Sequence, residues 1–109
     1  MEIKTVGEIK IPVIIARVDA SNAKGVEANL SELINSGTKK IICNFSQNEY
    51  ISSAGLRVFL TILKALQRSG GKIVLCGLNP YVREVFDMAG FSQLFKIFEN
   101  EEEAIKNMP

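Results

Sequence analysis

The chain has 109 residues, with 13 Lys and Arg against 12 Asp and Glu, a net charge of +1, and no histidine. This length fits one domain, which we expect to span residues 1–109. A charge so close to zero argues against direct DNA binding, which normally needs a basic excess or stripe. The absence of histidine excludes Ser-His and Cys-His nucleophile pairs and most zinc sites.

The apolar runs are too short for a membrane segment. None approaches the roughly 18–20 residues that span a bilayer, and the N-terminus has no signal-peptide pattern. We therefore expect a cytoplasmic protein without membrane contact. Cys43 and Cys76 each lie inside an apolar run and form no Cys-x-x-Cys motif, which predicts small core residues rather than a redox pair.

Strand and helix patterns alternate along the chain. Residues 2–7 and 13–18 are predicted to be antiparallel strands joined by a short connection over 7–12. A helix is then expected from Ser21 or Asn22, which can cap it, to Gly37. The later predicted elements are a strand at 40–45, a helix with its densest apolar face over 56–66, a strand at 72–76, a helix from Asn79-Pro80 to Gly90, a short strand within 91–98 and a terminal helix after Asn100.

The resulting order is β-β-α-β-α-β-α-β-α. Strands that alternate with helices indicate a parallel sheet with right-handed crossovers. The sequence therefore predicts an α/β domain with a mixed, mostly parallel sheet and four helices.

Polar residues follow three of the predicted strands. In open parallel sheets, functional groups collect beyond the carboxyl ends of the strands. Asp19, the pair Ser52 and Ser53, and Asn79 are therefore expected to share one rim of the sheet.

The adjacent serines Ser52 and Ser53 directly precede an apolar helix. They fit two interpretations. Both can be ordinary capping residues, although one hydroxyl is enough for an N-cap. Alternatively one is a phosphate acceptor, since the free N–H groups of a helix N-terminus stabilise the negative charge of a phosphoserine.

Four segments resemble STAS domains, specifically bacterial anti-sigma factor antagonists. Residues 50–60 are similar to the family signature, and residues 18–20 to the end of its second strand. Residues 70–78 resemble its glycine-preceded fourth strand, and residues 80–91 its third helix. The four sequences are YISSAGLRVFL, VDA, GGKIVLCGL and PYVREVFDMAGF.

The resemblance implies a partner switch controlled by phosphorylation. In that family the unphosphorylated antagonist binds an anti-sigma factor that is also an ATP-dependent serine kinase, and so releases the sigma factor. The acceptor is the serine two residues before the motif glycine, here Ser53, and a PP2C-type phosphatase resets it. Many members carry Asp where this chain has Ser52, which makes Ser52 the second candidate acceptor.

We also expect a partner-binding surface that combines the rim residues with Ala54, Arg57 and Val58 from the exposed start of the second helix, because small or polar residues allow close backbone approach. No cofactor, metal or catalytic residue is expected. The predicted surface comprises Asp19, Ser21, Asn22, Ser52, Ser53, Ala54, Gly55, Arg57 and Val58.

Other functional classes find less support in the sequence. An enzyme is disfavoured because Gly70-Gly71-Lys72 does not form a phosphate-binding loop. A helix-turn-helix over 82–95 would offer only Lys96 to phosphates, and a receiver domain would need an acidic cluster for Mg²⁺. The remaining alternative is a STAS interaction module of another signalling or stress-response assembly; the absence of a flanking domain favours the free-standing antagonist.

Overall fold

Seven strands and four helices alternate over residues 1–108, which are the residues that the computed structural model describes. The strands are β1 (Ile3–Val6), β2 (Ile9–Pro12), β3 (Arg17–Val18), β4 (Lys40–Asn44), β5 (Tyr50–Ile51), β6 (Lys72–Cys76) and β7 (Ile97–Phe98). The helices are α1 (Ala23–Asn35), α2 (Ser53–Arg68), α3 (Pro80–Met88) and α4 (Glu101–Lys106).

The main sheet has the strand order β1-β2-β4-β6-β7. Strands β2, β4, β6 and β7 run parallel, and β1 is antiparallel at one edge. Helices α1, α2 and α3 pack their apolar residues on one face of this sheet, and α4 covers the other face. The predicted α/β fold with a mixed, mostly parallel sheet and four helices is confirmed.

The predicted second strand at 13–18 is wrong in position. The antiparallel partner of β1 is β2, and the turn between them contains only Gly7 and Glu8. Gly7 has φ +59°, the positive φ that the first residue of a two-residue hairpin turn requires and that glycine adopts without steric cost. Segment 13–18 is apolar because Val13, Ile14 and Val18 are buried in the core, not because it pairs with β1.

Segment 13–18 leaves the main sheet after a single bridge from Val13 to Asn44. Its end forms β3, which pairs in parallel with β5 in a separate two-stranded sheet. Asn48, 2% exposed, stabilises this crossing because its Nδ2 donates to the carbonyl oxygens of Ile15 (2.8 Å) and Tyr50 (3.1 Å). These bonds connect the residues just before β3 to the first residue of β5.

The helix starts follow side-chain caps. Asn79 Oδ1 accepts from the Val82 N–H at 2.8 Å, and Asn100 Oδ1 accepts from the Glu103 N–H at 2.9 Å. Helix α2 begins at Ser53, three residues before its predicted apolar face. Of the predicted last strand within 91–98, only the final two residues pair with β6, and a short 3-10 helix precedes them.

Both cysteines lie in the core, as predicted. Cys43 pairs in register with Leu75, and Asn44 with Cys76, so the two cysteine side chains point to opposite faces of the sheet. Burial raises the pKa of both thiols, that of Cys76 to about 11. Both therefore stay protonated and unreactive at neutral pH.

Candidate functional site

An open groove of about 710 Å³ lies at the rim where β3 and β5 end and α2 begins. It contains five of the predicted site residues: Asp19, Ser21, Ser52, Ser53 and Ala54. Its other lining residues are Arg17, Ala20, Tyr50, Ile51, Leu56, Tyr81 and Val85.

The two serines have different positions and different tasks. Ser52 is the N-cap of α2, and its Oγ accepts a hydrogen bond from the Gly55 N–H at 3.2 Å. Ser53 is the first helical residue and is exposed. Because Ser52 already supplies the cap, the start of the helix does not require the Ser53 hydroxyl.

Gly55 brings α2 close to the small sheet. A Cβ at this position would lie 2.8 Å from Ile51 Cγ1, 2.9 Å from Val18 Cγ1 and 3.0 Å from the Val18 carbonyl oxygen. Real Cβ atoms are not found below about 3 Å from other heavy atoms, so only glycine permits this approach. The close packing places Ser53 in the same groove as Asp19, which follows β3 directly.

Asp19 lies in a tight turn before α1. Its Oδ1 accepts hydrogen bonds from the Ser21 hydroxyl at 2.5 Å and the Ser21 N–H at 2.9 Å. These bonds, helped by the nearby Arg17 guanidinium, hold the pKa of Asp19 below its ordinary value of 3.8. The groove therefore carries a fixed carboxylate charge beside the serine pair at neutral pH.

Removal of the Ser21 hydroxyl should raise the pKa of Asp19. We expect Ser21→Ala to move it toward 3.8, because the side-chain bond from Ser21 is the largest influence on this carboxyl. Because the pKa of Asp19 is lower in the folded than in the unfolded chain, its ionised form stabilises the fold above about pH 4. This stability is lost as the pH falls through the folded pKa, so Ser21→Ala should lose less stability than the wild type on acidification. Carboxyl-carbon NMR titration measures the shift, with Asp87 as the unchanged control. An unaltered Asp19 titration would show that the bond does not form in solution.

Five of the predicted rim and surface residues do not line the groove: Asn22, Gly55, Arg57, Val58 and Asn79. Asn22 binds the chain just before it, since its Oδ1 accepts from the Asp19 N–H and its Nδ2 donates to the Arg17 carbonyl oxygen. Asn79 caps α3 and donates to the Asn48 carbonyl oxygen. Arg57 is exposed one turn further along α2, beside a separate shallow depression.

Val58 does not lie on the exposed start of α2. It is 3% exposed and packs in the main core. The expectation of an exposed Val58 is wrong because this position faces the core, where α2 packs beside α1. Gly55 is buried as well, so neither residue offers a side-chain surface to a partner.

Of the seven lining residues that were not predicted from the sequence, three have large side chains with polar groups: Arg17, Tyr50 and Tyr81. Each stands beside a feature that was recognised, namely the strand before Asp19, the residues before Ser52 and the helix start after Asn79. Their closeness in sequence to the predicted rim residues was the one signal that could have indicated that they line the groove. Their convergence depends on the β3–β5 pairing, which the pattern did not indicate.

Neither a metal cluster nor a membrane helix is found in residues 1–108. No group of three or more Cys, Asp or Glu side chains there could hold a metal ion. In the same part of the chain, each helix is too short or too polar to cross a bilayer.

Comparison with known proteins places the chain in a family. The family model described as STAS domain matches residues 1–104. A protein of Bordetella bronchiseptica that bears the name anti-sigma factor antagonist BtrV is 40% identical over 87 residues, which are 80% of this chain and 75% of that protein. The chain therefore belongs to the STAS domain family, within its anti-sigma factor antagonists.

Solved structures agree with this assignment. An anti-sigma factor antagonist from Thermotoga maritima superposes with a TM-score of 0.89 at 28% identity, over 96% of this chain and 91% of that chain. SpoIIAA in its unphosphorylated form superposes with a TM-score of 0.83 at 25% sequence identity, over 96% of this chain and 92% of that chain. The phosphorylated Bacillus SpoIIAA superposes with a TM-score of 0.75 at 25% identity, over 96% of each chain. The Bordetella and Thermotoga proteins and the unphosphorylated SpoIIAA are named as anti-sigma factor antagonists, which agrees with the expectation that this chain is not an enzyme.

Proposed function

We propose that this protein binds an anti-sigma factor serine kinase when it is unphosphorylated, and that phosphorylation of Ser53 ends the complex. Binding would free the sigma factor that the kinase otherwise holds. The observation that supports this proposal best is the division of labour at the start of α2. There Ser52 supplies the cap, and Ser53 stands exposed in the rim groove with a free hydroxyl.

The chemistry is a phosphoryl transfer. The Ser53 Oγ attacks the γ-phosphorus of ATP, the bond to the β-phosphate oxygen breaks, ADP leaves, and the hydroxyl proton passes to a base of the kinase. This chain supplies only the acceptor. The product carries about −1.5 to −2 charges, which the N–H groups at the start of α2 help to stabilise.

Ser52 is a poorer acceptor for a structural reason. Its Oγ is half-buried and accepts from the Gly55 N–H, so a phosphate there would disturb the cap. SpoIIAA, a similar protein, has been solved in unphosphorylated and phosphorylated forms, which supports a phosphorylation switch in this chain as well. A PP2C-type phosphatase would hydrolyse the phosphoserine and restore the binding form.

Phosphosite mapping with the kinase tests the proposal. The wild-type chain is incubated with each recombinant anti-sigma kinase encoded in the source genome and Mg-ATP, and modified peptides are mapped by mass spectrometry. We expect one phosphate on Ser53 and loss of the complex on size-exclusion chromatography. Phosphate on Ser52 alone, or none with any kinase, would contradict the proposal and favour a STAS module of another assembly.

A further inference from the structure

Three side chains from three elements form a stack on the wall of the rim groove. The Arg17 guanidinium carbon lies 4.3 Å from the centre of the Tyr50 ring, within the range of a cation–π contact. The Tyr50 and Tyr81 rings are stacked with centroids 6.5 Å apart and an interplanar angle of 17°. The contacts join β3, β5 and the first turn of α3.

The core does not require this arrangement. Helix α3 buries Val82 and Phe86, whereas Tyr81 is 53% exposed on the opposite side. The Arg17 side chain is 62% exposed. Large aromatic and arginine side chains left exposed together are the residue types that most often contribute strongly to protein–protein binding.

The three side chains are in contact with one another without a partner. Each of the three side chains is restrained by its neighbour, so less side-chain entropy is lost on binding than for free side chains. The Arg17 Nε lies 3.7 Å from Asp19 Oδ2, a loose contact that leaves other guanidinium N–H groups available as donors.

We propose that the Arg17–Tyr50–Tyr81 stack is an anchor for the anti-sigma serine kinase, separate from the phosphorylated serine. This inference rests on the proposed function, because the stack and Ser53 line one continuous groove and a kinase that reaches Ser53 covers both. The kinase surface should offer an apolar recess for the Tyr81 ring and a carboxylate for Arg17. The anchor would determine how tightly the kinase binds, while Ser53 determines when it leaves.

Tyr81→Ala is the direct test, with Met88→Ala as its matched control. Met88 ends the same helix and is 81% exposed, but it lies outside the groove. The probe is the recombinant kinase that phosphorylates the wild-type chain on Ser53. We expect Tyr81→Ala to raise Kd and KM for this substrate about tenfold or more, with kcat and Tm nearly unchanged, and Met88→Ala to stay within about twofold.

Conservative variants separate an anchor from a structural role. Tyr81→Phe keeps the ring and should retain most of the affinity, whereas Arg17→Lys keeps the charge but loses the planar group and should weaken binding. Nitration by tetranitromethane gives an independent readout: Tyr81 should react in the free chain and be protected in the kinase complex.

The outcomes distinguish the two proposals. If wild type is phosphorylated on Ser53 but Tyr81→Ala has wild-type Kd and KM and Tyr81 stays reactive in the complex, the anchor is refuted and the proposed function stands. If no kinase phosphorylates the wild-type chain, the proposed function and the anchor both fail.

Discussion

Ser53→Asp should fold like the wild type and bind the anti-sigma kinase about a hundredfold more weakly. The added carboxylate lies at the first position of α2, where the helix N-terminus tolerates negative charge, so the Tm should change little. In the groove it adds to the fixed charge of Asp19, and in the proposed interface it replaces a neutral hydroxyl. Isothermal titration calorimetry and thermal melting measure the two effects.

The neighbouring serine supplies the matched control. Ser53→Ala should bind the kinase and resist phosphorylation. Ser52→Ala removes the bond to the Gly55 N–H and should cost about 1 kcal/mol of unfolding free energy, yet still be phosphorylated on Ser53. Equal kinase affinity of Ser53→Asp and wild type would show that charge at this position does not control the complex.

Gly55→Ala should be strongly destabilising for one methyl group. The new Cβ would lie within 3.0 Å of two side-chain carbons and the Val18 carbonyl oxygen, and the backbone oxygen cannot move away cheaply. Overpacking of this kind costs about 1–3 kcal/mol, which lowers the Tm of a domain of this size by roughly 4–8 °C per kcal/mol. The same shift should separate α2 from β3 and weaken kinase binding.

Gly25→Ala is the matched control because Gly25 is the third residue of α1, as Gly55 is of α2. A Cβ there meets no atom within 4 Å, and alanine favours helix more than glycine does by up to about 1 kcal/mol. Denaturant unfolding should therefore show a gain for Gly25→Ala and a loss for Gly55→Ala. Two variants of equal stability would refute the close-packing role of Gly55.

Local chemistry determined most of the elements. The helix starts at Asn79 and Asn100 were predictable because a capping side chain acts within three residues, and apolar spacing indicated which faces are buried. The pairing of 13–18 was not predictable in this way. An apolar run has the same sequence pattern whether it pairs in a sheet or packs in the core without pairing. The turn at Gly7, with its positive φ, pairs β1 with β2 and not with residues 13–18.

The sequence by itself determined the serine pair before the helix, the α/β class and the family resemblance, because these depend on neighbouring residues and on periodicity. Only the tertiary structure decided which side chains meet. The sequence predicted that Asp19 and Ser53 share one rim, but the β3–β5 pairing, the close approach allowed by Gly55 and the stack of Arg17 on Tyr50 beside Tyr81 are seen only in the fold. Such contacts join distant parts of the chain, and their geometry depends on packing that no local pattern records.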